Sequence, residues 1–192
     1  MPFTPNYAIP YQTLADPPDG PNLGEDGFLA VDTALASLAA LITPLPKGLV
    51  GYGSRATNST TTGTEIGVLR VDDIPVKLGR AYLIAVPTVH AQGNAAAVVA
   101  VRLRITTDGS DAGTGSTELR FVQTTMLTGT PDQPVEIAHL YKPASDHLLS
   151  VLLTVGKVAG SGNVGLIAAS TKNIDLCIHD VGLAVADTGV DI

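Results

Sequence analysis

The hydrophobic period changes once along this chain. From Phe28 to Ile42 large apolar residues recur every three or four positions, and from Leu49 onward the period switches to two. Spacings of 3, 4, 3 and 4 describe a helix, whereas a period of two describes strands with one face inward. Phe28, Val31, Leu35, Leu38 and Ile42 carry the helical spacing within DGFLAVDTALASLAALI, residues 26–42. Asp26 can cap its N-terminus, Ala and Leu fill its interior, and Pro44 and Pro46 stop it. These five residues form a seam of about two heptads, which fits a parallel oligomeric bundle or an amphipathic helix packed on its own domain. So short a helix is marginal by itself because nucleation is costly.

Beyond Leu49 the pattern predicts strands at 49–55, 64–71, 80–90, 96–106, 117–127, 134–141, 147–156, 163–170 and 173–186. Turn chemistry separates them at 58–63, Asp72-Asp73-Ile74-Pro75, Gln92-Gly93-Asn94, 108–116 and 160–163. Many short strands with no helix between them predict an antiparallel, jelly-roll-like β-sandwich. In 96–106, Val99, Val101, Leu103 and Ile105 should face the core. Arg102 and Arg104 should face out, toward Glu118 and Arg120 on a hairpin partner where Leu119 and Phe121 alternate with them. Segment 147–155, HLLSVLLTV, is apolar on both faces, and 173–186 nearly so. In a two-layer sandwich a second apolar face needs cover from a neighbouring subunit or from the helix.

Residues 1–24 hold six prolines and should be extended. Phe3, Tyr7, Ile9, Tyr11 and Leu14 punctuate this stretch at intervals that suit an arm docking on a neighbouring surface. The expected organisation is therefore an arm over 1–24, a helix over 25–46 and a head over 49–192.

Composition restricts the partners. The 192 residues are 45% hydrophobic and 15% charged, and the net charge is −7. Mean hydropathy is +0.28. No apolar run is long enough to span a bilayer, so no membrane partner is expected, and the surplus apolar surface suits subunit interfaces. An acidic chain lacks the basic footprint of a nucleic-acid binder. Aromatic residues make up 4% and Trp is absent, which is poor material for stacking on sugars, although Tyr52, Tyr82 and Tyr141 are available. The single cysteine, Cys177, excludes an intrachain disulfide, and the N-terminal residues do not read as a signal peptide.

No catalytic or metal-binding motif emerges. His90, His139, His147 and His179 show no paired zinc spacing, and phosphate-loop and nucleophile-elbow motifs are absent. Asp175, Cys177 and His179 share a strand face and contain the ingredients of a thiol hydrolase, but same-face strand neighbours sit too far apart for a proton relay. Asp108, Ser110 and Asp111 suggest calcium only weakly, and an Asp-Gly turn explains them better. The expectation is a non-enzymatic protein with no cofactor.

Tyr7-Ala8-Ile9-Pro10-Tyr11, then Asp16-Pro17, then the Ala-rich helix, resembles the opening of small virion proteins of tailed phages that infect actinobacteria. Ala8 and Gln12 depart from the Gly and Pro usual in that motif. VLRVDDIPVKLGRAYLI resembles a recurring strand-turn-strand of the same proteins. This resemblance implies a virion structural role with no catalytic residues: a minor tail or fibre-like appendage, or a head-surface protein decorating the capsid. The expected partners are two further copies of the chain in a homotrimer and other virion proteins, with a host surface glycan as a further candidate. The expected location is the virion, assembled in the host cytoplasm.

Overall fold

The computed structural model describes residues 20–127, 132–168 and 173–184, with side chains from Gly27 onward. The proposed arm residues Phe3, Tyr7, Ile9, Tyr11 and Leu14 lie outside the described residues. Two compact units divide the chain, residues 1–45 and 46–192.

In the first unit, α1 spans Gly20–Ile42, starting earlier than the predicted Asp26. Pro21 falls in the first turn, where its missing N–H costs no helical hydrogen bond and its fixed φ suits the helix. At the other end, the Thr43 N–H still bonds to the Ala39 carbonyl and the Leu45 N–H reaches only Ile42, so the helix tightens and stops beside Pro44. The seam residues Phe28, Val31, Leu35, Leu38 and Ile42 are all exposed. No described helix is long and apolar enough to cross a membrane.

The second unit is an antiparallel β-sandwich of the predicted class. Its described strands are β1 (Gly48–Arg55), β2 (Ser59–Thr61), β3 (Ile66–Val76), β4 (Arg80–Gly93), β5 (Ala97–Thr106), β6 (Thr117–Met126), β7 (Gln133–Tyr141), β8 (His147–Gly160), β9 (Val164–Ile167) and β10 (Ile174–Leu183). One sheet has the order β1-β10-β4-β9-β2, with β7 on the other edge of β4; the second has the order β3-β8-β5-β6. Long β4 organises the first sheet. Its first half pairs with β10, its last residues pair with β9, and β7 runs along its other side. Inward residues of both sheets, among them Ile84, Val86, Val101, Leu103, Leu153, Val155, Leu176 and Ile178, form one core.

Three expectations need correction. The 72–75 segment is not a turn: β3 runs through it on a bulge, with Asp73 in the left-handed region at φ 57. Segment 58–63, expected as loop, contains the short strand β2. On β6, a register shift opposite Leu103/Arg104 reverses the expected faces. Phe121 pairs with Arg102 on the outer side and is half exposed, and Arg120 pairs with core-facing Leu103. A bulge inserts one residue, and with a side-chain period of two that exchanges the faces beyond it.

The outer face of β8 carries a fourth correction. Its residues Ser150, Leu152 and Thr154 are indeed buried, but the chain covers them itself. The 107–116 loop turns on Asp108, whose Oδ1 accepts the Ser110 N–H. It then lies over this face, with Ala112 1% exposed and Asp111 paired to Arg70 at 2.8 Å. Beside it, Glu65 receives both Arg104 Nε (2.6 Å) and Nη2 (2.7 Å) and the Thr154 hydroxyl (2.5 Å). Arg102 bonds Glu118 at 3.0 Å. The Arg104 hydrogen bonds, opposed by burial, hold the Glu65 carboxyl below its ordinary range. This segment therefore gives no reason for a neighbouring subunit.

Candidate functional site: the outer face of the six-stranded sheet

The opposite outer face has a different chemistry. Cross-strand partners point to the same side of a sheet, so the pairing registers define rows. One row crosses four strands as Leu49, His179, Leu83 and Leu140. The next holds Tyr52, Cys177, Ala85 and Ala138. Between them Ile178 and Ile84 point inward and are wholly buried. Val181 follows at the bulge between β10 and β4, and Leu183 lies past it, in register with Arg80. Leu49, Tyr52, Leu140, Val181 and Leu183 are each about half exposed.

None of the eight residues in these two rows is Lys, Arg, Asp or Glu. Asp175 lies at the border and accepts a hydrogen bond from Tyr52 Oη at 2.9 Å. This ties the phenol hydroxyl to β10 while the side chain stays about half exposed. The other sheet's outer face carries Glu65, Arg70, Asp72, Arg102, Arg104 and Glu118. Antiparallel sandwich sheets ordinarily present polar residues to water, and these two rows of the six-stranded sheet depart from that pattern.

Beneath one end of the apolar face, Arg80 and Asp180 make a buried two-pronged pair, Nε–Oδ2 2.7 Å and Nη2–Oδ1 2.7 Å. Their side chains are 7% and 1% exposed. The Gly182 N–H also donates to Asp180 Oδ1 at 3.0 Å, at a bulge between β10 and β4. Burial opposes ionisation of Asp180, but the Arg80 bonds, the Gly182 N–H and the Arg80 charge outweigh it, so the carboxyl sits below its ordinary range. The pair fixes the register of the two strands that carry the centre of the face.

Asp175, Cys177 and His179 share the apolar face as the sequence suggests. Burial and the nearby Asp175 push the Cys177 thiol up, which keeps it protonated and a poor nucleophile. Among the described residues, no hydrogen bond joins Cys177 to His179, and no three His, Cys, Asp or Glu side chains gather in a metal-binding group. Tyr82 is 2% exposed, and its hydroxyl accepts the Lys77 N–H. Tyr141 is half-buried, with its hydroxyl against His147 Nε2 at 2.9 Å. Of the three tyrosines available for a sugar platform, only Tyr52 is exposed.

Sequence reading reached half of this face through the apolar excess of 173–186. It missed Leu83, Ala85, Ala138 and Leu140. The signal was the run Tyr82-Leu83-Ile84-Ala85-Val86, apolar on both faces like 147–155.

No protein-family model and no curated protein matches the chain. Similar solved structures include a carbohydrate-binding module, CBM4, at 14% identity and TM-score 0.36, covering 74% of this chain and 83% of that one. A protein of infectious bursal disease virus, Gx strain, is 10% identical with TM-score 0.38, covering 72% of this chain and 37% of that one. The enzymatically active domain of bacteriophage CBA120 tailspike protein 4 is 12% identical with TM-score 0.29, covering 69% and 19%. At these identities and TM-scores the likeness carries nothing about activity.

Proposed function

We propose that this chain is a non-enzymatic structural protein of a tailed-phage virion, a homotrimeric tail-associated or fibre-like appendage. In this reading the N-terminal arm docks on other virion proteins. The seam on α1 binds copies of itself, and the heads pack through the outer face of the six-stranded sheet. The observation that carries the self-association is the contrast between the two outer sheet faces, one an ion-pair network and the other crossed by two rows without Lys, Arg, Asp or Glu.

A second copy of the chain is the occupant that fits best. A face with no Lys, Arg, Asp or Glu in its two rows offers nothing for a charged partner to complement, and its Leu, Ala and Tyr match their own kind. Half-exposed side chains on four strands present a few hundred Å2, below the roughly 800 Å2 per partner of a standard interface. The face would therefore hold copies weakly unless they were already linked. The exposed heptad seam of α1 supplies that link and raises the effective concentration of the heads. The N-terminal resemblance supports the virion setting, and the protonated Cys177 thiol supports a role without chemistry. Decoration of the capsid shell would use the same trimer on a different docking surface.

Light scattering tests this. Full-length protein is expected at three times the 19.7 kDa chain mass, with Leu140→Arg and loss of residues 1–46 each weakening the assembly. A full-length monomer at micromolar concentration, or a trimer indifferent to both changes, would sink the proposal.

A further inference from the structure

We infer that the end of the sandwich opposite Gly48 holds a binding site for a neutral saccharide. Gly48, the first residue of β1, stands in register with Asp180 and through it with Tyr82. From Tyr82, β4 runs eleven residues on to Gly93, on the order of 35 Å of strand. Around Gly93 the chain forms a cavity of about 350 Å3 lined by Thr60, Gln92, Gly93, Asn94, Asn163 and Val164. On the proposed anchoring through the N-terminus, on which this inference rests for its biological direction, that cavity lies at the end of the head away from the chain's attachment.

The lining chemistry selects the ligand class. Among the described residues, one hydroxyl and three carboxamides line the cavity beside Gly93 and Val164, and none of the lining residues is charged. A phosphate or carboxylate would lose water there with no charged lining residue to replace it, the nearby Lys157 ammonium being engaged on the Gly162 carbonyl at 2.9 Å. Carboxamides and hydroxyls each donate and accept, as sugar hydroxyls do. Hydrogen bonds already made at the site sort the remaining groups. Asn94 Oδ1 accepts the Asn163 N–H at 2.7 Å, which leaves the Asn94 amide hydrogens to donate. Gln92 and Thr60 make no side-chain hydrogen bond among the described residues.

The site is also built rigidly. The Asn94 N–H donates to the Asn163 carbonyl, the Ser161 N–H to Ala96, and Lys157 Nζ to Gly162. The first two bonds tie the β4–β5 connection to the β8–β9 connection, and the third braces the β8–β9 connection on β8. Gly162 adopts φ +78, and a Cβ there would stand 2.1 Å from Asn94 Oδ1. Groups held by backbone contacts of this kind bind without first being ordered. With no aromatic ring to stack on, each site should bind only at millimolar concentration, and three linked copies would supply the working affinity.

Saturation-transfer difference NMR on the full-length protein reads this directly. The probes are maltotriose, galactotriose and chitotriose, with trigalacturonate as the charged comparison. At least one neutral trisaccharide should receive saturation at millimolar concentration. Its signal should fall at least fivefold in Thr60→Val/Gln92→Leu, which removes polar groups without touching the stapling bonds, and stay unchanged in Leu140→Arg. Silence from all three neutral sugars, equal signal in the double variant, or preference for trigalacturonate would each overturn the inference. Light scattering on the same samples separates it from the trimer reading: a monomer that binds keeps this site, and a trimer that does not bind loses it alone.

Discussion

Removing the Asp180 carboxylate is the sharpest test of how the sheet is held. In Asp180→Ala, Arg80 loses two charge-assisted hydrogen bonds of 2.7 Å and Gly182 loses its acceptor. The guanidinium remains in a site where its side chain is 7% exposed. Breaking a buried ion pair from one side costs about 3–5 kcal/mol, mostly because the surviving charge is stranded. For a head of this size that corresponds to a fall in Tm of about 6–20 °C. Urea unfolding followed by circular dichroism at pH 7, at one fixed protomer concentration, measures it. The double variant Arg80→Met/Asp180→Leu strands no charge and should recover most of the loss, since desolvation offsets much of a buried pair's attraction. A loss below about 1 kcal/mol in Asp180→Ala, or a double variant less stable than the single one, would refute the account of a desolvated, mutually dependent pair.

Gly165→Ala places a Cβ 1.8 Å from the Ser59 carbonyl oxygen; β2 should detach from β9 at a cost of roughly 2 kcal/mol or more, seen as faster amide exchange at Leu166. Stability should fall on acidification. The folded pKa values of Asp180 and Glu65 are lowered, so the unfolded chain binds protons first, and their contribution, complete above the unfolded value near 4, drains away as pH falls through the folded values. His139, pushed down by burial and then by Arg120, starts the same trend earlier, below about pH 6.5, and His139→Gln should flatten that upper part of the curve. Cys177 should react slowly with maleimide at pH 7 because its thiol is pushed up, and faster on dilution if the apolar face is covered in the assembly. Labelling independent of protein concentration would place Cys177 outside any interface.

Most of the sandwich was legible because most of its strands alternate and turn residues separate the rest. Nine of the strands fall where a period of two and the intervening turn residues put them. Failures came where one residue changes the bookkeeping of faces. The β5–β6 register shift turned Phe121 out and set Arg120, still exposed, opposite core-facing Leu103, and the bulge at Asp73 carried β3 through a pair of aspartates and a proline that read as a turn. Both depend on cross-strand register, which neither strand encodes alone. The short β2 had three residues, too few for a period to register.

The candidate site divides the same way. The sequence by itself determined that two segments, 147–155 and 173–186, had more apolar surface than a two-layer sandwich core can take. It also determined that α1 carries a heptad seam, because that depends only on spacing along one helix. Only the tertiary structure decided which excess stays open. The 107–116 loop and the arginines around Glu65 cover the face of β8, using residues distant in sequence that converge through β3, β5 and β8. Over β10 nothing among the described residues of the sandwich unit plays that part, and the pairing of β10 with β1 and β4, and of β4 with β7, gathers Leu49, Tyr52, Leu83 and Leu140 onto one face. An apolar run records how much surface must leave water, and strand order and loop placement determine what covers it.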